Sequence, residues 1–147
     1  MGYAPVYQAE SVSTPVTLTS PRSILNPGKI YIYGEYLLVN EINEGIHVFD
    51  NSDAAAPEAI GFLDLPGNTD MAIKDGLLYA DYMGYLVSLT VSDFGDVQEK
   101  GRLPLAARRF GMPPPKGFYF QCVDPEKGFV VDWERTELHN PQCYANL

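Results

Sequence analysis

The sequence predicts an all-β protein made of two four-stranded, blade-like antiparallel repeats followed by a C-terminal β-hairpin region. Three observations predict it. Leu37-Leu38, Ser52-Asp53 and Leu63 recur 40 residues later as Leu77-Leu78, Ser92-Asp93 and Leu103, and a period of about 40 to 45 residues with several short strands per unit is the pattern of β-propeller blades and related arrays. Gly, Asn and Asp turn residues break both units into short β-competent runs, and almost no segment shows a helical period of 3.6.

Residues 1–26 read as an extended N-terminal arm. Tyr7-Gln8 and Pro15-Val16-Thr17-Leu18-Thr19 are β-competent, but prolines at 5, 15 and 21 remove ladder donors, so the segment is expected at a sheet edge rather than in its centre. Repeat 1, residues 27–67, contains strands at 30–33, 36–41, 46–50 and 59–64, separated by Gly34-Glu35, Asn43-Glu44-Gly45 and a turn from Asn51 to Pro57. Repeat 2, residues 68–107, follows with strands at 71–73, 77–81, 85–91 and 97–103. Its Asp75-Gly76 step is a hairpin signal, since both residues tolerate positive φ. Pro113-Pro114-Pro115 stiffens a linker over 108–116. In the closing segment, 117–147, runs at 117–123 and 129–133 form the expected hairpin, joined by Asp124-Pro125-Glu126-Lys127-Gly128.

At 147 residues and 46% hydrophobic content the chain can bury a real core. It has no apolar run of membrane-spanning length. The net charge of -9 is concentrated in the repeats, where residues 27–107 hold 13 acids and 4 bases. Such a surface repels phosphate backbones, so nucleic acid is excluded as a partner. Arg108-Arg109, the single adjacent basic pair, reads as a solvated loop charge.

Gly34-Glu35-Tyr36-Leu37-Leu38-Val39, followed by Gly45-Ile46-His47-Val48-Phe49-Asp50-Asn51-Ser52-Asp53 and Pro57, resembles the LVIVD repeat of bacterial and archaeal surface or secreted proteins. The second copy departs from it, with Thr90-Val91 in place of Asp50-Asn51 and Val97 in place of Pro57. Cys122-Val123-Asp124-Pro125, Trp133 and Asn140-Pro141-Gln142-Cys143-Tyr144 also resemble a segment of larger lipoproteins carrying these repeats. The resemblance implies a propeller-like fold and an extracytoplasmic location, secreted, surface-held or lipid-anchored with a leader removed, and it implies no reaction. Cys122 and Cys143 are compatible with one disulfide or with two buried thiols; the even count and the surface-protein resemblance favour the disulfide.

No catalytic residue, metal site or cofactor is predicted. No Gly-x-Ser-x-Gly elbow is present, and His47 and His139 lie far apart in sequence. His47, between Ile46 and Val48, reads as an ordinary strand histidine. Strand-end acids Glu41, Asp70 and Asp81, with Asp50, are the alternative site, because propeller glycosidases place paired carboxylates around a central mouth. Asp50-Asn51-Ser52-Asp53 has oxygen ligands suited to Ca²⁺, but a turn role explains it better. Tyr31, Tyr33 and Tyr36, with Tyr79, Tyr82 and Tyr85, divide between core and contact surface.

The expected function is therefore interaction. Two repeats leave open edges, to be completed by copies of the same chain or by further repeats of a longer one. The arm, through Tyr7, Val16 and Leu18, is expected to pair with a neighbour by strand addition and so to build a ring or filament. The alternative is a carbohydrate-binding or glycoside-hydrolysing propeller fragment of a larger surface protein.

Overall fold

Thirteen strands in three sheets make up the computed structural model of the chain, which describes residues 1–8, 16–105 and 111–146. In chain order they are β1 (Gly2–Gln8), β2 (Leu18–Thr19), β3 (Pro27–Tyr33), β4 (Tyr36–Glu41), β5 (Gly45–Asp50), β6 (Glu58–Asp64), β7 (Met71–Lys74), β8 (Leu77–Tyr82), β9 (Tyr85–Thr90), β10 (Glu99–Pro104), β11 (Tyr119–Phe120), β12 (Phe129–Thr136) and β13 (Cys143–Tyr144). Each repeat is a four-stranded antiparallel meander, β3 to β6 and β7 to β10, as the 40-residue period predicts. Arg108-Arg109 lies outside the described residues.

The turns carry the chemistry their residues imply. Asp75 and Gly76 both adopt positive φ (52° and 76°) between the paired Lys74 and Leu77. Gly34 (φ 56°) opens the two-residue turn between Tyr33 and Tyr36. Gly45, at φ 148°, starts β5 so close to β6 that a Cβ would collide with the Leu63 carbonyl, which leaves glycine as the residue that fits.

The same two hairpin turns correct the register of the repeat. They match Tyr36 to Leu77, so β4 aligns with β8 one residue later than the Leu-Leu identity suggests. β5 and β9 return to the 40-residue offset, because Leu37 pairs with Phe49 while Leu78 pairs with Leu89. The turn between β8 and β9 is shorter, and that absorbs the difference.

The two meanders pack face to face. Leu38, Ile46, Val48 and Leu63 of the first meet Met71, Leu78, Ala80, Val87 and Leu89 of the second, with Tyr31, Tyr33 and Tyr36 filling in from the side. Removing this much aliphatic surface from water is the main stabilising term, at about 25 cal/mol per Å² of apolar area.

Of the N-terminal segment, β2 takes the expected edge position, beside β6 in the first sheet, whereas β1 departs from it. β1 lies in the middle of a third sheet, ordered β12-β1-β11-β13. It pairs along β12 from Gly2 to Gln8 but meets the two-residue β11 at Tyr3 alone. Tyr3 turns its carbonyl towards β11, accepting from Gln121 N at 2.8 Å, and the two-residue alternation turns Pro5 the same way. There β11 has already ended, so the missing proline donor leaves no gap in a ladder. The C-terminal region does hold an antiparallel pair, β11 with β13, but β1 separates the two runs that the sequence suggested as hairpin partners.

The Cys122–Cys143 disulfide, with Cα atoms 5.4 Å apart, closes β11 onto β13. Phe129 and Val131 of β12 pack on the core at one end of the two meanders. Trp133 fixes the adjoining loop by donating Nε1–H to the Met112 carbonyl at 2.9 Å.

Candidate functional site

Where the third sheet meets that end of the first meander, a cleft of about 590 Å³ opens among Gln8, Arg22, Glu41, Asn43, Asp64 and Asp132. Glu41 ends β4 and is 1% exposed. Its carboxylate accepts from His47 Nε2 at 2.6 Å and from the backbone N–H groups of Leu25 and Asn26. Burial alone would raise its pKa. The His47 hydrogen bond, the two N–H groups and the coulombic pull of His47 outweigh burial and hold the carboxyl below its ordinary value.

His47 is buried with it, edge-on to Phe62 at 4.9 Å between ring centroids. The Arg22 guanidinium lies 3.9 Å over the Phe62 ring. Glu41, His47, Phe62 and Arg22 thus form one stack that ties residues 22–26 across the first sheet. In this stack Glu41 does the work of a capping acid for an inbound loop.

The other two candidate acids are engaged elsewhere. Asp81 accepts from Thr69 N, Thr69 Oγ1, Asp70 N and Asn68 Nδ2 at 2.6 to 3.0 Å, which pins the turn that enters β7. It borders a second, smaller cleft of about 370 Å³ with Thr69, Gly111 and Phe129. Asp70 is exposed and pairs with Lys29 at 3.1 Å, joining the two repeats. Asn68 also accepts from Asn40 Nδ2 at 2.6 Å.

The Ser-Asp identities of the repeat are turn devices. Asp53 accepts from Ala55 N and Asp93 accepts from Gly95 N, the same bond in each repeat. Asp50 accepts from Ser52 N, and that bond lowers its pKa. No group of three or more His, Cys, Asp or Glu converges as a metal centre among the described residues.

Among the tyrosines, Tyr31, Tyr33, Tyr36, Tyr82 and Tyr85 pack on the core, whereas Tyr79 is 37% exposed. The three arm residues singled out each have a partner within the chain. The Tyr7 hydroxyl accepts from Asp124 N at 2.7 Å, Val16 is buried in the core, and Leu18 pairs with Leu63. Tyr7 is paired with β12 and Val16 is buried in the core, whereas Leu18 lies on β2, an edge strand with β6 on one side.

What the sequence did not single out is the outer face of the first meander. With the repeats aligned on their hairpin turns, Ile30 and Ile32 of β3 occupy the positions of Met71 and Ile73 of β7. Met71 is 2% exposed and Ile73 packs on the core, because the first meander covers them. Ile30 and Ile32 are each 65% exposed. Ile24 and Leu25, on the segment that crosses this sheet, are exposed as well. Aligning the two hairpin turns, rather than the Leu-Leu pairs, is the sequence signal that finds this face.

No family model, curated protein or solved structure matches this chain. No helix among the described residues is long and apolar enough to cross a membrane.

Proposed function

We propose that this chain is a non-enzymatic, extracytoplasmic interaction protein of propeller-like, LVIVD-type repeats, which acts by having its open repeat surfaces completed by another β-repeat surface. The observation that carries the reading is the contrast between Ile30 and Ile32, each 65% exposed, and their buried counterparts Met71 and Ile73. Burying one aliphatic side chain is worth about 1.5–3 kcal/mol, so an uncovered pair is a standing drive for association. The surface that completes the array belongs to a further copy of the chain or to further repeats.

The Cys122–Cys143 disulfide supports an oxidising compartment, hence a secreted or surface-held protein, with or without a lipid anchor. Carbohydrate binding or hydrolysis in the acid-lined cleft is the less favoured reading. A glycosidase general acid needs a raised pKa, and Glu41 is held low by its donors.

Light scattering coupled to gel filtration over a range of concentrations tests the reading. Assemblies larger than a monomer are expected; a monomer at every concentration sinks self-association.

A further inference from the structure

The chain carries both halves of its missing interface. The second meander has an outer face of its own, opposite to the one the first meander covers. On that face Leu103 of β10 stands opposite Leu86, as Leu63 of β6 stands opposite Ile46. Leu63 is fully buried between the meanders, and Leu103 is 60% exposed. Tyr79 likewise occupies the position of Leu38 once the hairpin turns are aligned; Leu38 is fully buried and Tyr79 is 37% exposed. One end of the molecule therefore presents the surface that the first meander uses to cover the second. The other end presents the β3 margin of the surface that such a meander covers, at Ile30 and Ile32; Val39, His47 and Phe62 of the same face are already buried, with residues 22–26 laid across it.

Charge follows the same order. Lys29 in the first repeat and Asp70 in the second occupy matching positions, each just before Ile30 or Met71, and they pair across the internal interface at 3.1 Å. A neighbour stacked in the same sense brings Asp70 of one copy towards Lys29 of the next, again with opposite signs. A two-fold contact between two Ile30 faces would set Lys29 against Lys29, which like-charge repulsion opposes.

We propose that copies of this chain associate head to tail, with the Ile30 and Ile32 face of one seated on the Tyr79 and Leu103 face of the next. The proposal rests on the interaction reading above and names its partner and its two surfaces. A heterologous contact of this kind closes into a ring when the rotation between copies permits and otherwise extends as a filament.

The test uses the intact chain and one variant for each face: Ile30→Asp with Ile32→Asp on the first, and Leu103→Asp on the second. All three side chains are more than half exposed, so their replacement leaves the core intact, and circular dichroism checks this. Tyr79→Ser provides a second, milder probe of the second face.

The wild-type chain is expected to form assemblies that grow with concentration. Each variant alone should associate at least about 30-fold more weakly, as loss of a central apolar anchor does. Mixing the two variants in equal amounts should yield a dimer and nothing larger, because one intact interface remains. Wild-type assembly that survives both Leu103→Asp and Tyr79→Ser overturns the head-to-tail arrangement while leaving self-association standing. A wild-type chain that stays monomeric overturns both.

Discussion

Glu41 keeps its charge inside the protein because three donors converge on it, and that geometry makes stability depend on pH. With the folded pKa lowered, the carboxylate contributes stability that is fully present above the ordinary carboxylate range. The contribution is lost as the pH falls through the lowered, folded value. Glu41→Ala should cost about 3–5 kcal/mol at neutral pH, since it leaves His47 and two N–H groups without their shared partner. Urea unfolding at neutral and acidic pH checks this. The gap between wild type and variant should narrow towards acid, and an equal gap at every pH would contradict the assignment.

His47 itself shows how the alternation of a strand can be legible while its meaning is not. Its place between Ile46 and Val48 puts it on the opposite face from them. That this face is sealed by residues 22–26, and that Glu41 lies within reach, depends on contacts across the fold.

At the scale of elements, the turns were the most readable part of the chain. Asp75-Gly76 forms its hairpin, and the Ser-Asp steps cap the same turn in both repeats, because each outcome is decided within a few residues. The third sheet was the least readable. Its central strand comes from the opposite end of the chain to its neighbours, and proline spacing alone placed that strand at an edge.

The disulfide is the covalent tie of this sheet, whose strands β11 and β13 are two residues each. Replacing Cys122 and Cys143 with serine should lower the unfolding free energy by about 3 kcal/mol, the value expected for a loop of this length. The comparison is a denaturant titration of the oxidised chain, the reduced chain and the double variant. Equal midpoints for all three would show that the bridge adds nothing.

The whole molecule carries net charge -9, and the excess lies in the two repeats that would meet in an assembly. Copies therefore repel at long range while their apolar faces attract at contact. Self-association should tighten as salt rises from low to physiological ionic strength, because the Debye length shrinks to about 8 Å and screens the repulsion. Sedimentation velocity at several salt concentrations measures this. Weaker association at higher salt would mean that specific ion pairs, rather than apolar burial, dominate the contact.

From the sequence alone came the all-β class, the four-strand repeat, its turns and the acidic balance of the repeats, all of which rest on local periodicity, turn chemistry and composition. The tertiary structure alone decided which face of each repeat is covered. The sequence places a branched aliphatic at Ile30, Ile32 and Ile73 alike, and a leucine at both Leu63 and Leu103. Whether such a side chain is core or open surface depends on having a neighbouring sheet at one's back, and that is a property of stacking order rather than of residue type.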